Sequence, residues 1–238
     1  MATGIYVALS GAVAQEKLLE STAENLANAS THGYQRQRPV FKEVLSKSGP
    51  KAGYHLTNVD GTALDSTEGP VEKTGQPLDV ALPKDTYLAV STKNGERYTR
   101  AGSLQVGKDG WLETKTGVRV LGEGGKPIKV GEGNVTIGET GAVAVGGETV
   151  GRLRLVTFDK PGVLVHEGAS VLSAPPAAGP PRVATGTLEV GALEQSNAPV
   201  VHAMTDLVTA QRSFDAFQRA IDAFREADRK VVTVVPSV

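Results

Sequence analysis

The hydrophobic positions fall into three regimes along the chain. Ile5, Leu9, Ala12, Glu16, Leu19, Ala23 and Leu26 step by four and three in alternation. That spacing predicts a helix with one apolar seam, interrupted by Glu16. Gly11, Ala12, Ala14, Ala23 and Ala27 are small enough to let a partner approach closely. Gly33 is a natural left-handed terminator. The same alternation returns at the far end through Val200, Ala203, Leu207, Ala210, Phe214, Phe217, Ile221, Phe224, Asp228 and Val231. Asp215, Arg219, Asp222, Arg225 and Arg229 fill the other faces. A strict seven-residue repeat favours a left-handed supercoil. At about 1.5 Å per residue, a helix over 199–231 would be roughly 50 Å long. Ser196 and Asn197 offer a cap, and Pro199 suits a first turn.

Between the ends, the period drops to two. Tyr87–Ser91 reads as a strand. Asn94-Gly95 predicts a type I′ turn, with a second strand over Glu96–Arg100. Ser103–Val106 alternates, Asp109-Gly110 turns, and Trp111–Thr114 returns. Leu153–Phe158 reads as another strand, and Ala174–Pro181 as a loop or semi-rigid spacer. Glycine sharpens this division. Of 28 glycines, three fall in residues 1–48, 25 in 49–191 and none in 192–238. Glycine is costly inside helices and useful in turns. The expected class is therefore α+β: long N- and C-terminal helices pairing as a coiled coil, with a central all-β domain. The expected divisions are 1–34 for the first helix, 35–69 for an extended linker, 70–191 for the β domain and 192–238 for the second helix.

Composition excludes several chemistries. The 25 basic and 26 acidic residues nearly cancel, so no charge excess calls for nucleic acid. The absence of cysteine removes disulfides, thiolate metal sites and cysteine nucleophiles. The four histidines show no metal-ligand spacing. No apolar run is long enough to span a bilayer, and Met1–Ser10 lacks the features of a cleavable signal peptide. Gly122–Pro127 lacks the first glycine and the hydroxyl residue of a phosphate loop. No catalytic residue, cofactor, metal, small-molecule ligand or membrane insertion is expected. A cell-wall hydrolase would need paired carboxylates in a cleft, and none is evident. A free coiled-coil adaptor is a further alternative.

Three motifs carry a family resemblance. Asn25-Leu-Ala-Asn-Ala-Ser-Thr-His-Gly-Tyr34 resembles the N-x-A-N-x-x-T-x-G-[FY] signature of bacterial flagellar rod and hook proteins, with Glu24 in place of one further Asn. Tyr98–Val106 with Asp109–Leu112 resembles their shared β-domain motif. Leu193–Ala198, Met204 and Gln211–Phe214 resemble their C-terminal signature. Ala203 and Phe217 depart from the family's usual Glu and Asn. The β-branched tail 231–238, with Pro236, departs from its usual polar helix; it is expected to fray or to dock as an extended tail. The opening Gly4–Val13 and the run Gly75–Ala81 resemble the proximal-rod branch most, with the distal-rod branch second.

The resemblance implies a basal-body rod subunit that assembles through its terminal helices. Its partners would be copies of itself and other rod subunits. It would pass through the flagellar type III export apparatus without a cleaved signal peptide. The implied subunit interface comprises Ile5, Leu9, Leu19, Leu26, Leu207, Phe214, Phe217, Ile221 and Phe224 of the stripes. To these it adds Asn25, Asn28, Gly33, Tyr34, Ser196, Asn197, Gln211 and Arg212. Bland readings stand beside these roles. Asn28 and Gly33 can simply end the first helix, or the Asn25 and Asn28 amides can bond a neighbour's backbone. Ser196-Asn197 can be only a cap. Arg212 can be solvated, or can pair with a neighbour's carboxylate. Tyr34 is expected to be a buried anchor.

Overall fold

The computed structural model describes residues 2–46, 54–131, 133–168 and 170–234. The chain divides into two units. The first holds Met1–Leu26, Gln37–Thr62 and Val200–Val238; the second holds Ala27–Arg36 and Ala63–Pro199. The expected α+β class holds, with a helix toward each end of the sequence and a β-rich region between.

In the first unit, helix α1 is Ala2–Ala27 and helix α2 is Val200–Val234. Strands β1 (Gln37–Ser46) and β2 (Tyr54–Leu64) pair as a two-stranded sheet. They occupy most of the stretch expected as an extended linker. Ala8, Ala12 and Ile221 form a buried cluster, with Ile5, Phe214, Phe217 and Phe224 packed against it. The Phe224 ring lies 2.8 Å from where a Cβ on Gly4 would be, and the Phe217 ring 2.4 Å from where one on Gly11 would be. As the number rises by seven on α1 it falls by seven on α2, so the helices run antiparallel.

Most of the α2 stripe packs inward: Ala203, Ala210 and Ile221 are buried and the phenylalanines half-buried, whereas Val200 is exposed. The α1 seam matches the prediction in part: Ile5 and Ala12 pack inward, together with Ala8, which lies outside the predicted seam. Gly4, Ala8 and Gly11 keep the four-three alternation, while Leu9, Glu16 and Ala23 are exposed. The rings on α2 explain the added small residues. A ring needs a recess in the facing helix, and glycine or alanine provides one where leucine would fill it. Helix α2 runs through Val234, past the expected end at Val231; the rest of the tail lies outside the described residues.

The second unit is built from short strands. These are β3 (Val71–Lys73), β4 (Val80–Ala81), β5 (Tyr87–Thr92), β6 (Gly95–Thr99), β7 (Leu104–Val106), β8 (Leu112–Thr114) and β9 (Arg119–Val120). Then come β10 (Val135–Ile137), β11 (Ala142–Val145), β12 (Glu148–Arg152), β13 (Leu155–Thr157), β14 (Val165–His166) and β15 (Leu172–Ser173). The last are β16 (Arg182–Val183), β17 (Glu189–Val190) and β18 (Ala192–Glu194). Strand β5 is central. It pairs with β6 along one edge, and with β13 and then β9 along the other. Its side chains alternate between two cores, as the two-residue period of a strand requires. Leu88 and Val90 join a core with Leu112, Val143 and Leu153; Tyr87 and Ala89 join one with Phe158, Leu164 and Leu172.

One local expectation changes. Thr92 pairs directly with Gly95, so Lys93 and Asn94 form the turn. A type I′ turn needs positive φ at both central residues. Asp85 is the one described non-glycine residue with positive φ, and Gly95, at +96°, closes the turn instead. The Ala174–Pro181 stretch is a loop, as expected, with a short turn inside it. Pro176–Ala178 makes a 3-10 turn, and Ala178 is buried in the core beneath it.

The recesses on α1 generate a test. Gly11→Val should lower the stability of the helical unit by about 1–3 kcal/mol through overpacking. Helical circular dichroism should lose its midpoint first, while fluorescence of Trp111, which reports the second unit, should not move. Phe217→Ala in the same chain should recover part of the loss.

Candidate functional site

The first and third motifs meet in the second unit. Residues 31–36, 65–69 and 194–197 are far apart in sequence but share one hydrogen-bonded lock. Gly33 N–H donates to the Glu194 carbonyl at 2.8 Å, and Asn197 N–H to the Tyr34 carbonyl at 3.3 Å. The Asn197 side chain bridges all three segments. Its Oδ1 accepts from Arg36 N–H at 2.7 Å, and its Nδ2 donates to the Asp65 and Thr67 carbonyls at 2.8 and 2.7 Å. An uncharged amide carries donors and acceptor together, so it can join three backbone segments without desolvating a charge.

Beneath the lock lies an ion pair. Arg100 and Glu194 side chains are 1% and 4% exposed. Arg100 Nε donates to Glu194 Oε2 at 2.7 Å, and its other nitrogens donate to the Pro83, Thr86 and Leu82 carbonyls. Glu194 Oε1 accepts from Gly69 N–H at 3.0 Å. A buried pair is tolerated only when its remaining donors and acceptors are satisfied, and here they are. Gly33, at φ +68°, lies so close that a Cβ would fall 2.3 Å from the Arg100 carbonyl carbon. Only glycine fits there. That requirement goes further than helix termination, because α1 already ends at Ala27.

Tyr34 is 2% exposed and stacks on His166, with ring centroids 4.8 Å apart. It is anchored within its own chain. His166 Nε2 lies 2.8 Å from the Gln35 carbonyl, and Tyr87 donates its hydroxyl to Gln35 Oε1. Burial pushes the Tyr87 hydroxyl up to about 12. At Asp65, burial pulls the carboxyl upward. The Arg36 guanidinium at 2.7 Å and the Thr67 hydroxyl and amide outweigh it, so the carboxyl sits below its ordinary value.

The remaining residues divide by surroundings. Both ends of the Asn25 amide engage the Gln37 backbone at 2.8 Å, where β1 begins. Asn28 Oδ1 accepts from the Thr31 hydroxyl at 3.2 Å. Ser196 Oγ accepts from Ala198 N–H, and the Asn197 amide is spent on distant segments, so its part here is bridging. Ile5, Leu19, Leu26 and Leu207 are half-buried, whereas Gln211 and Arg212 are exposed. The periodicity missed Arg36, Asp65, Arg100, Glu194 and His166 as lock residues. Glu194 sits inside the third motif, which was the available signal; Asp65 had none.

A cleft of about 780 Å³ in the second unit is lined by Glu123, Arg152, Arg154, Val183 and Gly186 among others. Its charges pair with each other or with Glu96. Among the described residues, no group of three acidic or histidine side chains could hold a metal. No described helix is long and apolar enough to cross a membrane.

The lock carries a pH signature. Asp65 has a lowered folded value, so its contribution is complete above the ordinary carboxylate value near 3.8 and is lost as pH falls through the folded value. At pH 6, Asp65→Asn should cost about 1 kcal/mol in denaturant unfolding read by Trp111. The difference from the unsubstituted chain should shrink below about pH 4.

Three family descriptions match the chain in order. The flagellar basal body rod protein family matches residues 5–35, and the flagellar hook protein FlgE/F/G D1 domain matches residues 81–145. The flagellar basal body rod FlgEFG C-terminal family matches residues 189–234. The flagellar basal-body rod protein FlgF of Escherichia coli is 38% identical over 234 residues, covering 92% of each chain. That of Rhizobium meliloti is 34% identical over 223 residues, covering 90% of each. The flagellar basal-body rod protein FlgG of Bacillus subtilis is 30% identical over 262 aligned positions, covering 98% of this chain and 99% of its own. On these matches the chain belongs to the flagellar basal-body rod proteins, a family of structural subunits rather than enzymes.

Proposed function

We propose that the chain is a FlgF-like subunit of the proximal rod. The subunit assembles helically through α1 and α2, which pair as a two-stranded coiled coil. Many copies of a contact that does not close on itself make a tube. The helices line the export channel, and torque passes through many summed contacts between copies. The subunit reaches the periplasmic rod through the type III apparatus, without a cleaved signal peptide. Partner contacts fall on the helix stripes, on the surroundings of Tyr34 and Asn197, and on exposed Gln211 and Arg212. Arg212 has the planar fork to orient a neighbour's carboxylate.

The observation that carries the reading is the match of the chain's two ends and its middle to three rod and hook families, in order. The packing of Phe217 and Phe224 over Gly11 and Gly4 supports the helix pairing. A distal-rod reading rests on the FlgG of Bacillus subtilis, which aligns along nearly its whole length.

Electron microscopy of basal bodies from cells lacking this chain tests the proposal. Loss of the rod beyond its base, restored by complementation, is expected. Intact rods and normal motility would overturn it. A rod retained to the distal segment and truncated there would favour the distal-rod reading.

A further inference from the structure

The inward faces of α1 and α2 satisfy each other, yet each helix keeps a second apolar stripe. On α1 it is Tyr6, Leu9 and Val13, at 63%, 51% and 50% exposure. On α2 it is Val201, Met204 and Val208, at 75%, 53% and 49%. Both follow the same three-then-four spacing. No charged residue occurs in positions 1–15, so Tyr6 and Leu9 have no charged side chain within a turn on their own helix, and Glu16 and Lys17 stand one turn beyond Val13. Large side chains exposed in register on a helix mark an interaction face.

Helix geometry relates the two stripes. At about 100° per residue, each lies about 130° round from its helix's inward face, in the same rotational sense. Because the helices are antiparallel, this puts both stripes on one side of the pair. They sit at opposite ends: Leu9 is level with Arg219, about fifteen residues and about 22 Å from Met204. One chain therefore cannot cover its own stripes with each other.

We infer that the outer stripe of α1 docks on the outer stripe of α2 of a second copy, with the two helices antiparallel. The inference rests on the rod-subunit reading and names the surface through which copies join. Charge selects the direction. A parallel arrangement would set Tyr6, Leu9 and Val13 against Val201, Met204 and Val208. The next turns would then oppose Lys17 to Arg212 and Glu20 to Asp215, like against like. The antiparallel arrangement removes both clashes. Glu16 and Glu20 then fall beyond the start of the neighbour's α2, where an acidic side chain is favoured. It also brings Arg219 level with the neighbour's Glu24. Each copy offers one donor and one acceptor stripe about 22 Å apart along the pair, so the contact is head-to-tail and stays open.

The lack of native cysteine makes the test clean. Full-length Leu9→Cys and Met204→Cys chains, mixed and oxidised, should give the mixed disulfide dimer as the main product. Lys17→Cys with Arg212→Cys should give none. A chain carrying both Leu9→Cys and Met204→Cys should give a ladder of linear oligomers. Both positions are half exposed, and far-UV spectra check that each variant folds. No mixed dimer, or a dominant Lys17–Arg212 product, would overturn the contact. A double variant that stops at a closed dimer would overturn its head-to-tail character. If basal bodies still need the chain while cross-links fail, this contact falls and the rod reading stands.

Discussion

The guanidinium of Arg100 has no water to turn to. It is held by Glu194 and the carbonyls of Pro83, Thr86 and Leu82, and Glu194 in turn holds Gly69 and Gly33. A buried charge without its partner costs several kcal/mol. The β6 end, the 82–86 turn, the 69 region and the strand entering the second helix are thus committed to one arrangement together. Asn197 and Asp65 extend that commitment to the chain at Arg36. The second unit consequently holds segments from residue 27 to residue 199 as one body.

The first unit rests on a different balance. Its internal contacts are rings over glycines and alanines, which permit close approach but bury little area on the α1 side. Isolated helices of this kind are marginal, and much apolar surface remains outside. The second unit instead closes two cores around β5. A self-contained β body joined to an under-buried helical one suits a subunit whose last stability comes from its neighbours.

Much of this was legible in residue order, for physical reasons. Glycine is costly inside helices, so the uneven distribution of 28 glycines indicated the helix–sheet–helix plan. The α2 stripe was readable because its rings all fall on the four-and-three alternation. On α1, Ile5 and Ala12 follow the predicted seam, whereas Leu9 does not, because packing against rings favours the small Gly4, Ala8 and Gly11. The Asn94-Gly95 turn was misassigned because dipeptide identity does not fix which residues pair; Thr92 and Gly95 do. Tyr34 and Asn197 stood out through family motifs, but their partners Asp65 and His166 lie far away in sequence with no local pattern. Arg100 sits inside the second motif, but no spacing links it to its partner, which is 94 positions away.

A double-mutant cycle between Arg100 and Glu194 measures the central claim most directly. Unfolding would be followed by Trp111 fluorescence in chains carrying Arg100→Leu, Glu194→Leu or both. Each single change should cost about 3–5 kcal/mol, because each strands the other charge. The double change should cost less than the two singles combined by at least about 2 kcal/mol. Costs that simply add, within about 0.5 kcal/mol, would contradict the account.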